Sequence, residues 1–306
     1  MDQVLKLLIV DDEDKSAFVA GYCVATQDAQ TSPAYILING AQQGAGEVEA
    51  TIAHELFHAF QFAFDTKEEH WWTEGTAVLS EDFIDPNWDT ERYYDEDAFD
   101  MRRHALLPMV SEEGQHEYGI YLFPFYLAKV YDDWIVRLIW EECPAMAATK
   151  AVRKVMDESE KDGFKRAFKT FAYMNWSQDL DPKVVKYPED VFPDVWHDRE
   201  FSVDLPLREP FAKNVELPAL SAVYYRFQNT SEKEVARPHV VFDLKDFQIS
   251  EDLSVQAFIK YRNNAPETKD WTALNEVGFC LNNPNEVFEW IALTIGNSAD
   301  YLRLDP

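Results

Sequence analysis

Apolar residues fall in long helical stretches over the first half of the chain and in short alternating runs over its last third. Val4 to Val10 (VLKLLIV) is a continuous apolar run followed by Asp11, Asp12, Glu13 and Asp14, the pattern of a buried strand entering an acidic turn. Residues 34–39 (AYILIN) predict a second strand, ended by Gly40 and by Gly44-Ala45-Gly46. Glu47 and Glu49 then open a helix that runs to about Phe64, because acids favour the positive end of a helix dipole. Val48, Ile52, Leu56, Phe60 and Ala63 give this helix a near-continuous apolar set, which predicts a central, buried element.

A polar loop over 65–70 leads to a second helix over 73–83. Residues 82–100 are intensely acidic, with Arg92 as the only base. Residues 118–140 are apolar and aromatic and predict one or two helices, broken near Pro124. Further helices are expected over 145–156 and 162–174. Near residue 180 the character changes: Pro182, Pro188, Pro193, Pro206 and Pro210 punctuate a connecting stretch with little helical period. Beyond it, β-type runs at 222–227, 239–244, 254–261 and 289–295 are separated by turns such as Asn263-Asn264 and Asn282-Asn283-Pro284. The expected fold class is α+β: a mostly helical domain with a small N-terminal sheet over 1–195, then an antiparallel β-sandwich accessory domain over 196–306.

Composition narrows the partners. With 56 acidic against 28 basic residues the formal charge is −28. Nucleic acid and anionic membranes need basic surface, so neither is an expected partner. The aromatic share of 14% suits a core, and also a groove that grips an extended chain or a sugar. Cys23, Cys143 and Cys280 are far apart and form no C-x-x-C pair, so cysteine supplies no zinc site. The best membrane candidate, 118–128, is far short of the ~20 apolar residues of a span. The first residues lack the basic start and small-residue cleavage site of a signal peptide.

The sharpest chemistry lies in His54-Glu55-Leu56-Phe57-His58, an H-E-x-x-H pattern in a helical segment. Residues four apart on an α-helix stand about 40° apart around its axis, so His54 and His58 can aim two imidazoles at one ion. Glu55 can reach a water bound there and act as its base. Hydrolytic zinc takes three protein ligands and one water. Glu74, in Trp71-Trp72-Thr73-Glu74-Gly75-Thr76-Ala77, supplies the third if the second helix packs antiparallel on the first. The small Gly75 and Ala77 would allow that close packing.

The pair H-E-x-x-H and W-x-E-G-x-A resembles the gluzincin metallopeptidases. A nearer likeness is to a myxobacterial-type family of inferred secreted metallopeptidases. It is carried by His54 to Gln61 (HELFHAFQ), Trp72 to Ala77 (WTEGTA), Glu81-Asp82 and Tyr118 to Phe123 (YGIYLF), and covers about residues 20 to 180. The resemblance implies a zincin-like catalytic domain, Zn²⁺ on His54, His58 and Glu74, and hydrolysis of a peptide or protein substrate. It implies an oxyanion donor on a later helix, with Tyr118 first and His116 and His70 behind it. It implies a substrate-binding edge strand, matched in position by residues 35–39. No G-x-M-E-N motif precedes the helix, so endopeptidase action is favoured over removal of N-terminal residues. It also implies a longer precursor with an export signal, hence an extracellular or cell-envelope location.

Two rival readings stand beside this one. The zinc site could be non-catalytic, with the β-rich domain recognising protein or carbohydrate. Separately, Asp85, Asn87, Asp89, Glu91 and Glu96 fall at the offsets of a Ca²⁺ loop. Pro86, and Thr90 where the loop needs glycine, favour a plain solvated acidic loop instead.

Overall fold

The computed structural model describes residues 6–10, 20–39, 47–84, 105–159, 163–177, 201–205, 212, 216–230, 239–246, 250–280, 283 and 286–300. The Ca²⁺-like loop and the proline-punctuated stretch over 182–200 lie outside these residues, as does the expected boundary at 195/196. The chain forms two compact units, Met1–Met101 with Met109–Gly163 and Arg102–Pro108 with Phe164–Pro306. Helices and sheets are mixed along the chain, an α+β composition.

The first unit opens with a three-stranded sheet in the order β1-β3-β2. Strand β1 (Lys6–Val10) runs parallel to β3 (Ala34–Asn39), and β2 (Gly21–Ala25) runs antiparallel to it. Ala34, Ile36 and Ile38 turn one face of β3 into the core. Helices α1 (Glu47–Gln61) and α2 (His70–Ile84) follow, then α3 (His116–Gly119), α4 (Leu122–Tyr131), α5 (Trp134–Glu142) and α6 (Ala148–Ser159). The apolar stretch is interrupted near Pro124, as expected, at Ile120–Tyr121 between α3 and α4. Pro124 sits in the first turn of α4, where its missing N–H is harmless. A second break falls at Asp132, whose φ of 86° ends α4 just before α5.

The link between α1 and α2 is short because carboxylates pin it. Glu68 accepts the Ala148 N–H at 2.8 Å, and Glu69 accepts both the Thr149 N–H at 2.8 Å and its hydroxyl at 2.6 Å. These acids neutralise the positive N-terminus of α6. Trp71 and Trp72 are both core residues: Trp72 packs on Trp140 with ring centroids 6.3 Å apart, and Trp71 on Phe123 at the same spacing.

The second unit holds most of α7 (Gly163–Ser177), β4 (Phe201–Leu205), β5 (Ser221–Asn229), β6 (His239–Asp243), β7 (Leu253–Tyr261), β8 (Glu267–Asp270), β9 (Glu276–Cys280) and β10 (Phe288–Asn297). Five strands form one sheet in the order β4-β5-β10-β7-β8, and β6 pairs with β9 as a separate ribbon. β4 joins β5 in parallel; the other pairs are antiparallel. Val223, Tyr225, Ile259, Trp271 and Leu293 share a core with Phe242 and Phe279 of the ribbon. The alternate residues Ala222 and Tyr224 pack with Ala172 of α7, so the sheet is covered on both faces.

Candidate metal centre

Helix α1 buries an unexpected face. Its buried residues are Ala50, Ala53, His54, Glu55 and Gln61, whereas Ile52 and Leu56 are only half-buried and Phe60 is 60% exposed. The polar stripe, not the apolar set, faces inward. Helix α2 receives it with Thr76, Ser80 and Glu81, all buried. The Ser80 hydroxyl bonds to the carbonyls of Ala53 and Ala77, which ties the two helices together.

His54, His58 and Glu74 form the one group among the described residues that could hold a metal, with their donor atoms within 4.8 Å of one another. Glu74 Oε2 lies 3.3 Å from His54 Nε2 and 3.5 Å from His58 Nε2. Tetrahedral zinc with bonds of about 2.1 Å sets its ligand atoms about 3.4 Å apart, so both spacings fit.

The outer nitrogens decide what the inner ones can do. His54 Nδ1 lies 3.0 Å from Glu81 Oε1, and His58 Nδ1 lies 2.7 Å from Gln61 Oε1. An imidazole that donates from Nδ1 presents a lone pair at Nε2, the form a metal needs. Two such lone pairs and a carboxylate oxygen facing each other repel unless a cation sits between them. A shared proton is the other remedy. Burial alone would lower the pKa of His54, but Glu74 and Glu81 overturn that and raise it. Burial would raise that of Glu74, and the two imidazoles reverse it to well below the usual carboxylate range. The donor set therefore fits zinc.

Glu55 lies within electrostatic reach of both histidines and of Glu74. Burial raises its pKa, with the histidines opposing. Its carboxylate accepts the backbone N–H of Cys23 on β2. The bonds from Asn39 N–H to Ala20 and from Thr26 N–H to Pro33 fix the phase of the β2–β3 ladder. By alternation, the backbone groups of Gly21, Cys23 and Ala25 point to the outer side of β2. Gly21 makes room for this contact: a Cβ there would stand 2.8 Å from Glu55 Cγ and 2.7 Å from Thr51 Cγ2.

This placement corrects the edge-strand expectation. Residues 35–39 belong to β3, which is paired on both sides. The edge strand beside the site is β2, and among the described residues no strand pairs with its outer side. The role of Gly75 also changes. A Cβ at Gly75 would stand 3.0 Å from Ile120 and 3.6 Å from Pro124, so its bare face lets the α3–α4 junction come close to α2. That approach carries Tyr118 to the site, where its ring stacks on His54 with centroids 6.4 Å apart and planes at 23°. Burial, then Glu74, Glu117 and Glu55, raise the Tyr118 pKa, so the phenol stays protonated.

The other two donor candidates differ in exposure. His116 is fully buried. His70 is exposed at the start of α2, with Nδ1 3.8 Å from Glu112. The family resemblance includes Glu81 and Gln61 but assigns them no role, and the sequence does not predict β2. Glu81 was legible in principle, since seven residues from Glu74 is nearly two full helical turns on the same face. Gln61 was legible too, three residues beyond His58. β2 was not, because GYCVA carries no alternation. All three cysteines are free thiols, and among the described residues no helix is long and apolar enough to cross a membrane. Compared with protein families, with curated proteins and with solved structures, the chain matches none.

Proposed function

We propose that the chain is a zinc-dependent endopeptidase of gluzincin type, with a zincin-like catalytic domain and a sandwich-type accessory domain. The observation that carries this reading is the convergence of two metal-ready imidazoles and Glu74 beside a buried carboxylate, Glu55. A purely structural zinc site needs no such carboxylate. Bound zinc would supply a Lewis acid that lowers the pKa of water from ~16 to about 7.

The chain's own residues do the rest. Glu55, with its proton affinity raised by burial, takes the proton from the attacking water and hands it to the leaving amine. The Cys23 N–H holds that carboxylate in place. Tyr118, kept as the phenol, donates to the oxygen that becomes negative in the tetrahedral intermediate. A substrate strand would lie along the outer side of β2, using backbone groups of Gly21 and Ala25. The natural location would then be extracellular or the cell envelope, in line with the family resemblance.

The test is bound zinc and hydrolysis of an unfolded protein, measured on wild type and Glu55→Gln. The expected result is one zinc in both, with activity only in the wild type. A Glu55→Gln protein with full activity would refute the mechanism. A His58→Ala protein that still holds stoichiometric zinc would refute the site.

A further inference from the structure

Behind the proposed metal site lies the α1–α2 seam. Gln61 is 1% exposed, yet it makes three polar contacts. Its Oε1 faces His58 Nδ1 at 2.7 Å. Its Nε2 donates to the Thr73 carbonyl at 2.8 Å and to the Thr76 hydroxyl at 3.0 Å. The Thr76 hydroxyl gives its own proton to the Trp72 carbonyl at 2.7 Å and also accepts from Trp140 Nε1 at 3.3 Å.

The direction of every bond in this chain follows from its ends. The carbonyls of Trp72 and Thr73 can only accept. Thr76 has spent its one proton on Trp72, so toward Gln61 it too can only accept. The amide of Gln61 must therefore present its NH₂ to α2 and its oxygen to His58. An oxygen there requires a hydrogen on His58 Nδ1, which leaves the lone pair on Nε2. The same bonds grip Thr73 and Thr76, the residues on either side of Glu74 along α2.

We infer that Gln61 is a positioning residue that locks His58 in its Nδ1–H form and ties it to the helix segment carrying Glu74. The role of this lock as a zinc device rests on the proposed function; the tautomer itself does not. His54 has an anion for its outer nitrogen, whereas His58 has a neutral amide whose orientation is set by two backbone carbonyls. A reversal of Gln61 would set its NH₂ against His58 and its oxygen against two acceptors.

The experiment has two arms. Imidazole ¹⁵N shifts of the metal-free wild type should show His58 protonated at Nδ1; protonation at Nε2 overturns the inference. Zinc affinity, measured by competition with a chromophoric chelator, should fall ~10–100-fold in Gln61→Met, with loss of the single His58 tautomer. Unchanged affinity and tautomer in a folded Gln61→Met protein overturn it as well. Failure of the wild type to bind zinc would instead sink the proposed function, while the ¹⁵N result would still judge the tautomer.

Discussion

The α1–α2 seam of the first unit and the sheet core of the second bury their side chains to opposite ends. The seam encloses His54, Glu55, Gln61, Thr76, Ser80 and Glu81, all polar. The sheet core is Leu, Val, Ile, aromatic residues and Ala257, with Trp271 and Phe288 almost sealed from solvent. Apolar burial stabilises by roughly 25 cal/mol per Å², whereas an enclosed polar group costs ~1–3 kcal/mol unless it is bonded. The seam spends that cost on hydrogen bonds that orient groups. Stability and chemistry are thus separable along this chain, and substitutions should divide them.

The largest expected effects form a crossed pair. Glu55→Gln should lower kcat by ~10²–10⁴-fold while leaving bound zinc and thermal stability in place. Phe288→Ala should destabilise the second unit by ~3–5 kcal/mol, read by denaturant unfolding, while leaving zinc affinity within twofold of wild type. If Phe288→Ala weakens zinc as much as it weakens the fold, the division between the two regions is wrong.

Metal removal should act on one side of the comparison only. Zinc at a hundred times its dissociation constant stabilises the state that binds it by ~2.7 kcal/mol. Stripping it with a chelator should lower the first unit's melting transition by roughly 5–10 °C and leave the second unit's transition where it was. Calorimetry of the loaded and stripped protein checks this. Equal shifts in both transitions would mean that the units do not unfold separately.

The sheet core was legible in the sequence for the reason that it is apolar. Strands at 222–227, 254–261 and 289–295 fall within β5, β7 and β10, where burial on both faces leaves short, near-continuous apolar runs between turn signals. β4, β8 and β9 are too short to carry such a signal, and β8 (ETKD) is polar throughout. The seam was legible only through its motif. Hydrophobic periodicity pointed to the wrong face of α1, since it counts Phe60 as core and Gln61 as surface. Glu74 could be placed because spacing on a second helix is a local property. The support from β2 could not, since Gly21 meets Glu55 only through tertiary packing.

Gly21 offers the finest test, because it separates Glu55 from the metal ligands inside the seam itself. In Gly21→Ala the new Cβ would stand 2.7 Å from Thr51 Cγ2, 2.8 Å from Glu55 Cγ and 3.1 Å from Glu55 Oε1. Thr51 cannot yield, since its branched side chain is fixed by a 2.9 Å bond from Oγ1 to the Glu47 carbonyl. The strain must be relieved by lifting β2 or by turning Glu55, and either move parts the carboxylate from the Cys23 N–H. Overpacking of this kind destabilises by ~1–3 kcal/mol. A base misplaced by an ångström loses up to about 10²-fold in rate, so kcat/KM on an unfolded protein should fall by ~10-fold or more. Zinc affinity should hold within twofold, because His54 and His58 are anchored from behind by Glu81 and Gln61 and not by β2. A fully active Gly21→Ala protein would show that β2 does not place the base. One that loses zinc in step with activity would show that base and ligands are held as a single body, and the seam would then have no internal division of labour.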